Sequence, residues 1–368
     1  MDERVLQQEE RASLCLRRLY AEYGYTHYKM SKFEEYDLYV QNKSFLVSDQ
    51  VITFTDTNGR LMALKPDVTL SIVKNTDAPT ESVQKLYYDE NVYRVSGRDN
   101  AYREIKQVGL ECQGNIDDTC IAEVLSLAEQ SLGELGGDYV LCVSHLGILC
   151  AVLDVLCLSA KGRARVLACI AEKNLHGMEA VLDEEGVSED GRAPLRALLT
   201  TYGAPATVVA RLRRALGAPA CEMLDQLDRL LCVLPQAHLR LDFSIVQDMS
   251  YYNGIVFCGY AEKIPTRVLS GGQYDRLVQR MGKKTGAVGF AVYLDLLTGR
   301  DEALPEYDVD AVLCYGSESA PDAVLAAAQS LRAQGMCVTV QPSRPEAVRY
   351  RRLYQLEKGV CRLVEDRA

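Results

Sequence analysis

Residues 239–257 read LRLDFSIVQDMSYYNGIVF, and this stretch decides the fold. Its apolar residues Leu239, Leu241, Phe243 and Ile245 alternate with polar ones, the period of a half-buried strand. The strand delivers Tyr251 and Tyr252, which can grip a small ligand with aromatic faces and phenol hydroxyls together. Gly254 then lets the chain turn back into a second β run, 255–257. A core strand followed by a plain hairpin has the same spacing.

Upstream, residues 4–22 place Ala12, Leu16, Leu19 and Tyr23 on one helical face, with Gly24 to end the helix. Residues 51–55 and 60–64 flank Asn58-Gly59, the signature of a hairpin with a tight turn. The hairpin leads into Lys65-Pro66-Asp67-Val68-Thr69, which reads as a turn and helix N-cap or as a ligand contact. Two β runs follow, 85–94 and 102–113, joined by a polar loop at 95–101. Period-2 alternation puts Arg103, Gln107 and Glu111 on one face of the second run, a face that is either solvated or aimed into a small polar pocket.

Asp117 or Asp118 caps a helix with a buried stripe through Ile121, Val124, Leu125, Ala128 and Leu132. A strand at 139–143 and a nearly all-apolar helix at 146–158 come next, with His145 between them as a strand-end or cap residue. From 159 to 235 helical spacing replaces alternation, a helical insertion whose Arg211, Arg213 and Arg214 are offset by Asp183, Glu184, Glu185, Glu189 and Asp190. Residues 268–275 form a β run with the glycine pair Gly271 and Gly272, and 286–297 read as a strand running into a helix. Beyond Arg300 the pattern is β-α-β-α-β, with strands at 311–314, 337–340 and 360–364 and helices at 320–333 and 346–357.

Composition narrows the function. The 368 residues suffice for two or three domains. A net charge of −10 argues against nonspecific attraction to nucleic acid, which depends on Lys and Arg releasing counterions. The 13 cysteines contain no Cys-x-x-Cys pair and sit among aliphatic residues, as buried thiols do in a reducing cytosol. His27, His145, His176 and His238 are scattered, so no metal is expected. With Asp2 and Glu3 at the start and no apolar run of membrane length, the expectation is a soluble cytoplasmic protein without a membrane partner.

Together these motifs resemble histidyl-tRNA synthetases, a class II synthetase family. Residues 247–252 match its Arg-Gly-Leu-Asp-Tyr-Tyr segment with both tyrosines kept and Gln247 in place of arginine. The resemblance implies an α+β fold: an antiparallel sheet flanked by helices over 1–300, the helical insertion at about 159–235, and a truncated anticodon-binding-like α/β domain over 305–368. It also implies a histidine pocket. Asp67 and Thr69 fall where the family's Arg-Pro-Glu-x-Thr places a carboxylate on the histidine amino group. Gln107 and Glu111 fall on the positions for the ammonium and imidazole, Tyr251, Tyr252 and Tyr274 line the pocket, and Arg94 matches the arginine that ends the first motif strand.

Groups that serve ATP and the reacting centre differ. Ser96 stands for a glutamate that reads adenine, the loop is one residue short, and Gln273 replaces a further arginine. Tyr293, Leu294, Asp295 and Leu296 replace the family's Gly-Leu-Glu-Arg, and Leu296 has no donor for a phosphate. Within the wider family, Met249 to Phe257 resemble the Met-Ser-Tyr-Tyr-x-Gly-Ile-x-Phe of the regulatory subunits of short-form ATP phosphoribosyltransferase. That resemblance implies a chain with no catalytic residues and no cofactor. Its partners would be histidine and a separate catalytic subunit, in a hetero-oligomer that contains a homodimer of this chain. An active histidyl-tRNA synthetase and a synthetase-like module that senses tRNA are the alternatives.

Overall fold

A computed structural model describes residues 6–41, 51–77, 80–95, 101–246, 249, 251–297 and 306–367. The chain divides into two compact units, Met1–Thr298 and Gly299–Ala368.

The first unit opens with α1 (Gln8–Glu22), ended as expected by Gly24 at φ 81°. The short strand β1 (Thr26–His27) precedes a small sheet of β2 (Phe33–Glu35), β3 (Thr53–Thr55) and β4 (Leu61–Leu64), with α2 (Tyr36–Gln41) inserted. The β3–β4 turn differs in detail from the expected one. Only Gly59 has positive φ, and the Asp56 carboxylate accepts the amides of Asn58 and Arg60 at 2.8 Å each. Helix α3 (Thr69–Asn75) leads to the long pair β5 (Val83–Val95) and β6 (Tyr102–Gly114). Then come α4 (Asp118–Glu134), capped by Asp117, β7 (Tyr139–His145) and α5 (Leu146–Val155).

The insertion is five helices: α6 (Ala160–Ala171), α7 (Leu175–Glu184), α8 (Glu189–Thr200), α9 (Pro205–Leu212) and α10 (Ala218–Leu231). Its arginines are largely engaged by its own acids, for example Arg213 with Asp225 and Asp228 and Arg196 with Glu179 and Glu189. Strands β8 (Leu239–Leu241), β9 (Ile255–Ala261) and β10 (Leu269–Gln273), helix α11 (Asp275–Arg280) and strand β11 (Gly286–Tyr293) complete the unit, with a 3-10 turn at Leu294–Leu297 where a helix was expected.

Eight strands form one sheet in the order β1-β5-β6-β11-β10-β9-β7-β8. It is mixed rather than wholly antiparallel, because the edge pairs β1/β5 and β7/β8 are parallel. Two expectations for residues 239–257 change. The strand stops at Leu241, where Asp242 turns the chain by accepting the Ser244 amide (3.0 Å) and hydroxyl (2.6 Å), although Phe243 stays buried. Nor do β8 and β9 pair as a hairpin, since β7 lies between them. Strands β6 and β11 divide the two faces of the sheet. Val108, Leu110, Cys112, Val288, Phe290 and Val292 pack into the main core with α1 and α4, while the alternate residues face the other way.

The second unit is a four-stranded sheet, β13-β12-β14-β15, from β12 (Val309–Tyr315), α12 (Pro321–Ala333), β13 (Val338–Gln341), β14 (Tyr350–Glu357) and β15 (Val360–Asp366). The helix expected at 346–357 is strand β14. Lys358 and Gly359, both at positive φ, make a two-residue turn that pairs Glu357 with Val360. No helix among the described residues is long and apolar enough to cross a membrane.

Candidate functional site

The site lies on the sheet face opposite the main core, with β6 as its floor. Gln107, Gly109, Glu111 and Gln113 share that face, and Gln107, Glu111 and Gln113 are 3%, 2% and 1% exposed. Of the three residues that the alternation puts on one face, Gln107 and Glu111 are thus buried, whereas Arg103, nearer the start of the strand, is exposed.

Glu111 is the hub. Its Oε1 accepts the Thr69 hydroxyl at 2.5 Å and its Oε2 accepts the Tyr274 hydroxyl at 2.5 Å. Thr69 is the first residue of α3, and Tyr274 ends the loop from β10 into α11. Burial raises the Glu111 carboxyl to about 8, with Asp67 adding to the rise and the Thr69 and Tyr274 donors opposing it. Burial and then the Glu111 charge raise the Tyr274 phenol, so it remains a donor.

Asp67 fills the turn and helix-start role of its motif. Its Oδ1 accepts the Leu70 amide at 2.9 Å, fixing the first turn of α3, and its carboxylate is held beside the pocket. Burial raises its pKa, and hydrogen bonds from Leu70 and the charge of Arg94 act in the opposite direction. Arg94, near the end of β5, donates its Nε to the Pro66 carbonyl at 2.9 Å and so ties that strand to the loop that carries Asp67. Tyr251 stacks edge-on against Tyr252 (4.8 Å between centroids) and tilts against Tyr274 (5.8 Å). All eight residues named from the sequence are thus described. Thr69, Glu111 and Tyr274 are joined directly, Asp67 and Arg94 by charge, and the tyrosines by ring contact. Gln107 shares the β6 face and makes no side-chain hydrogen bond among the described residues. Positions 96, 247, 248 and 250 lie outside the described residues.

Two residues of the site were missed in the sequence. Gln113 takes the Thr76 hydroxyl on its Oε1 at 3.3 Å and bears on the Tyr274 hydroxyl. Tyr88 of β5 lies opposite Gly109, where a Cβ would fall 2.4 Å from its hydroxyl. Glycines are the signal that marks this face. Gly109 makes room for Tyr88, Gly289 for Glu111, and Gly272 for the Tyr252 ring, 2.7 Å from where a Cβ would stand. Chemically, two buried carboxylates with hydroxyl and amide groups around them suit a small ligand rich in N–H donors. Among the described residues no group of three His, Cys, Asp or Glu side chains is placed to hold a metal.

A family model described as histidyl-tRNA synthetase matches residues 1–297. The chain is 30% identical over 358 residues to an ATP phosphoribosyltransferase regulatory subunit of Moorella thermoacetica, covering 93% of this chain and 90% of that one. It is 29% identical over 295 residues to a histidine–tRNA ligase of Methanococcus vannielii, covering 76% and 69%. A solved structure from Bacillus halodurans, described as an ATP phosphoribosyltransferase regulatory subunit/histidyl-tRNA synthetase, has the same fold, with a TM-score of 0.78 at 23% identity over 95% of this chain and 93% of that one. By the reach of these matches and the near full-length likeness to the Moorella subunit, the chain belongs to the histidyl-tRNA synthetase family, on its branch of ATP phosphoribosyltransferase regulatory subunits.

Proposed function

We propose that the chain is the non-catalytic regulatory subunit of a short-form ATP phosphoribosyltransferase, the first enzyme of histidine biosynthesis, in the cytoplasm. It binds histidine in the pocket around Glu111, assembles as a homodimer with the catalytic subunit, activates it and makes it inhibitable by histidine. The observation that carries this reading is the Thr69–Glu111–Tyr274 cluster, a buried and mutually hydrogen-bonded polar group that supports a pocket there. Adenylation gathers negative charge at the α-phosphate and needs positioned cations. The sequence has Ser96, Gln247 and Leu296 where the synthetase pattern has groups for ATP or the reacting centre. Loss of one donor aimed at developing charge costs roughly 10²- to 10³-fold in rate, so joint loss removes the chemistry and leaves the binding. Regulation then requires only that histidine bind differently to the active and inactive assemblies, a coupling free energy between sites.

The test is phosphoribosyltransferase activity of the same organism's short catalytic subunit, with and without this chain, during a histidine titration. Activity that rises on mixing and falls with histidine is the expected result. No change on mixing overturns the assignment. The identity to the Methanococcus ligase favours active histidyl-tRNA synthetase as a second reading, for which histidine-dependent pyrophosphate exchange would be the signature. Salt-sensitive tRNA binding without exchange would instead mark a tRNA-sensing module, a use that the charge of −10 disfavours.

A further inference from the structure

Tyr88 lies on the strand that ends near Arg94, directly opposite Gly109 on the strand that floors the pocket. It is 2% exposed, and its ring crosses the bare backbone of Gly109, which is flanked on the same face by Gln107 and Glu111. Among the described residues its hydroxyl makes no hydrogen bond. The hydroxyl is not among the sealed, unpartnered atoms of the fold, so it keeps access to the open space of the site, where a ligand group can meet its unspent donor and acceptor. Burial and then the charges of Glu111 and Asp67 raise its pKa, with Tyr293 and Tyr252 acting in the same sense, so the phenol keeps its proton and stands within the field of both carboxylates.

Those neighbours say what the hydroxyl can meet. Glu111 and Asp67 are both buried acids, and the fully buried Lys65 is committed to Glu90 at 2.5 Å. Arg94 acts on Asp67 from the loop side. A ligand carboxylate beside Tyr88 would meet two carboxyl groups, with Lys65 and Arg94 already engaged by Glu90 and the Pro66 carbonyl, whereas an amine or a ring N–H would find acceptors in them. We infer that the Tyr88 hydroxyl is a ligand-recognition contact for the nitrogen-bearing part of an imidazole amine, and that it does not read the ligand's carboxylate. This rests on the reading of the pocket as a histidine site and adds to it a residue and a selectivity: histidine and its carboxylate-free analogue histidinol are felt alike at this position.

Calorimetric titration of the full chain with L-histidine and with L-histidinol, for the wild type and Tyr88→Phe, tests it. The phenylalanine fills the same space over Gly109, so the thermal midpoint should be unchanged or slightly higher. The dissociation constants for both ligands should rise by the same factor, about tenfold, as for one hydrogen bond to a polar ligand group. Unchanged histidine affinity in Tyr88→Phe overturns the inference while leaving the pocket reading intact. A loss seen with histidine and absent with histidinol also overturns it, because Tyr88 would then be reading the carboxylate. Failure of the wild type to bind either ligand overturns the pocket reading, and this inference with it.

Discussion

Glu111 on β6 stands directly opposite Gly289 on β11, and a Cβ at position 289 would fall 1.9 Å from the Glu111 Oε2. The missing side chain lets the carboxylate lie across the sheet and meet Thr69 and Tyr274 at once. Gly289→Ala must therefore push the carboxylate off both donors, and it also crowds the Leu110 carbonyl at 2.4 Å. The variant should lose about 1–3 kcal/mol of stability by overpacking. Its histidine affinity should fall by tenfold or more, on the order of the two displaced hydrogen bonds. Thermal unfolding and calorimetry read the two effects separately, and unchanged affinity would show that the pocket does not depend on where Glu111 lies.

The ionisation of Glu111 gives the fold a pH dependence. Its folded pKa, about 8, lies above the ordinary value of 4.5 because burial disfavours the charge. For a raised carboxyl the associated stability is complete below the unfolded pKa and is lost as pH rises through the folded one. Glu111→Gln, which cannot ionise, should therefore gain on the wild type between pH 5 and pH 9, by a few kcal/mol at the alkaline end. The same variant should fail to bind histidine. Denaturant unfolding at three pH values gives the difference, and a flat one would refute the buried-charge account.

How much of this was legible beforehand depends on the range of the interaction. Helix α1, the β3–β4 hairpin and the cap at Asp117 are written in neighbouring residues and were read correctly in kind. Likewise, Asp67, Thr69, Glu111 and Tyr274 could be named through motif resemblance. Tyr88 and Gln113 could not, because their place depends on which residue of the next strand lies opposite, and register is a long-range property. Strand β14 was misread for a related reason. Tyr350, Leu353 and Leu356 recur at a helical interval, but the Lys358-Gly359 turn folds the segment onto β15 and makes it sheet. Residues 243–245 continued the alternation of β8 in composition, and only the Asp242 side chain broke it.

His145 gives a pH dependence of the opposite sign. It ends β7 and begins α5, its Nδ1 has no partner among the described residues, and burial lowers its pKa to about 4 from 6.5. A neutral buried histidine contributes full stability above its unfolded pKa and loses it as pH falls toward the folded one. The loss between pH 6.5 and pH 4 should be on the order of 3 kcal/mol. His145→Leu should remove that part of the acid limb, seen as a smaller drop in unfolding free energy over the window. An acid limb identical to that of the wild type would mean that the ring is solvated.

The Lys65–Glu90 pair separates folding from positioning. Lys65 is fully buried with its Nζ 2.5 Å from Glu90 Oε2, Glu90 Oε1 accepts the Met30 amide at 3.3 Å, and the Lys65 carbonyl accepts the Tyr93 amide at 2.9 Å. These bonds hold the loop immediately before Asp67 against β5. Removing one partner of a buried pair leaves an uncompensated charge and costs about 3–5 kcal/mol, whereas replacing both with apolar groups is often neutral. Lys65→Met alone should therefore destabilise strongly, and Lys65→Met with Glu90→Leu should recover most of the loss. The recovered double variant is the informative one. Its loop is held by packing instead of charge, so if the pair serves to place Asp67, histidine affinity should remain reduced although the fold is restored. Full recovery of both stability and affinity would make the pair a structural brace and leave the position of Asp67 to its own bond with the Leu70 amide.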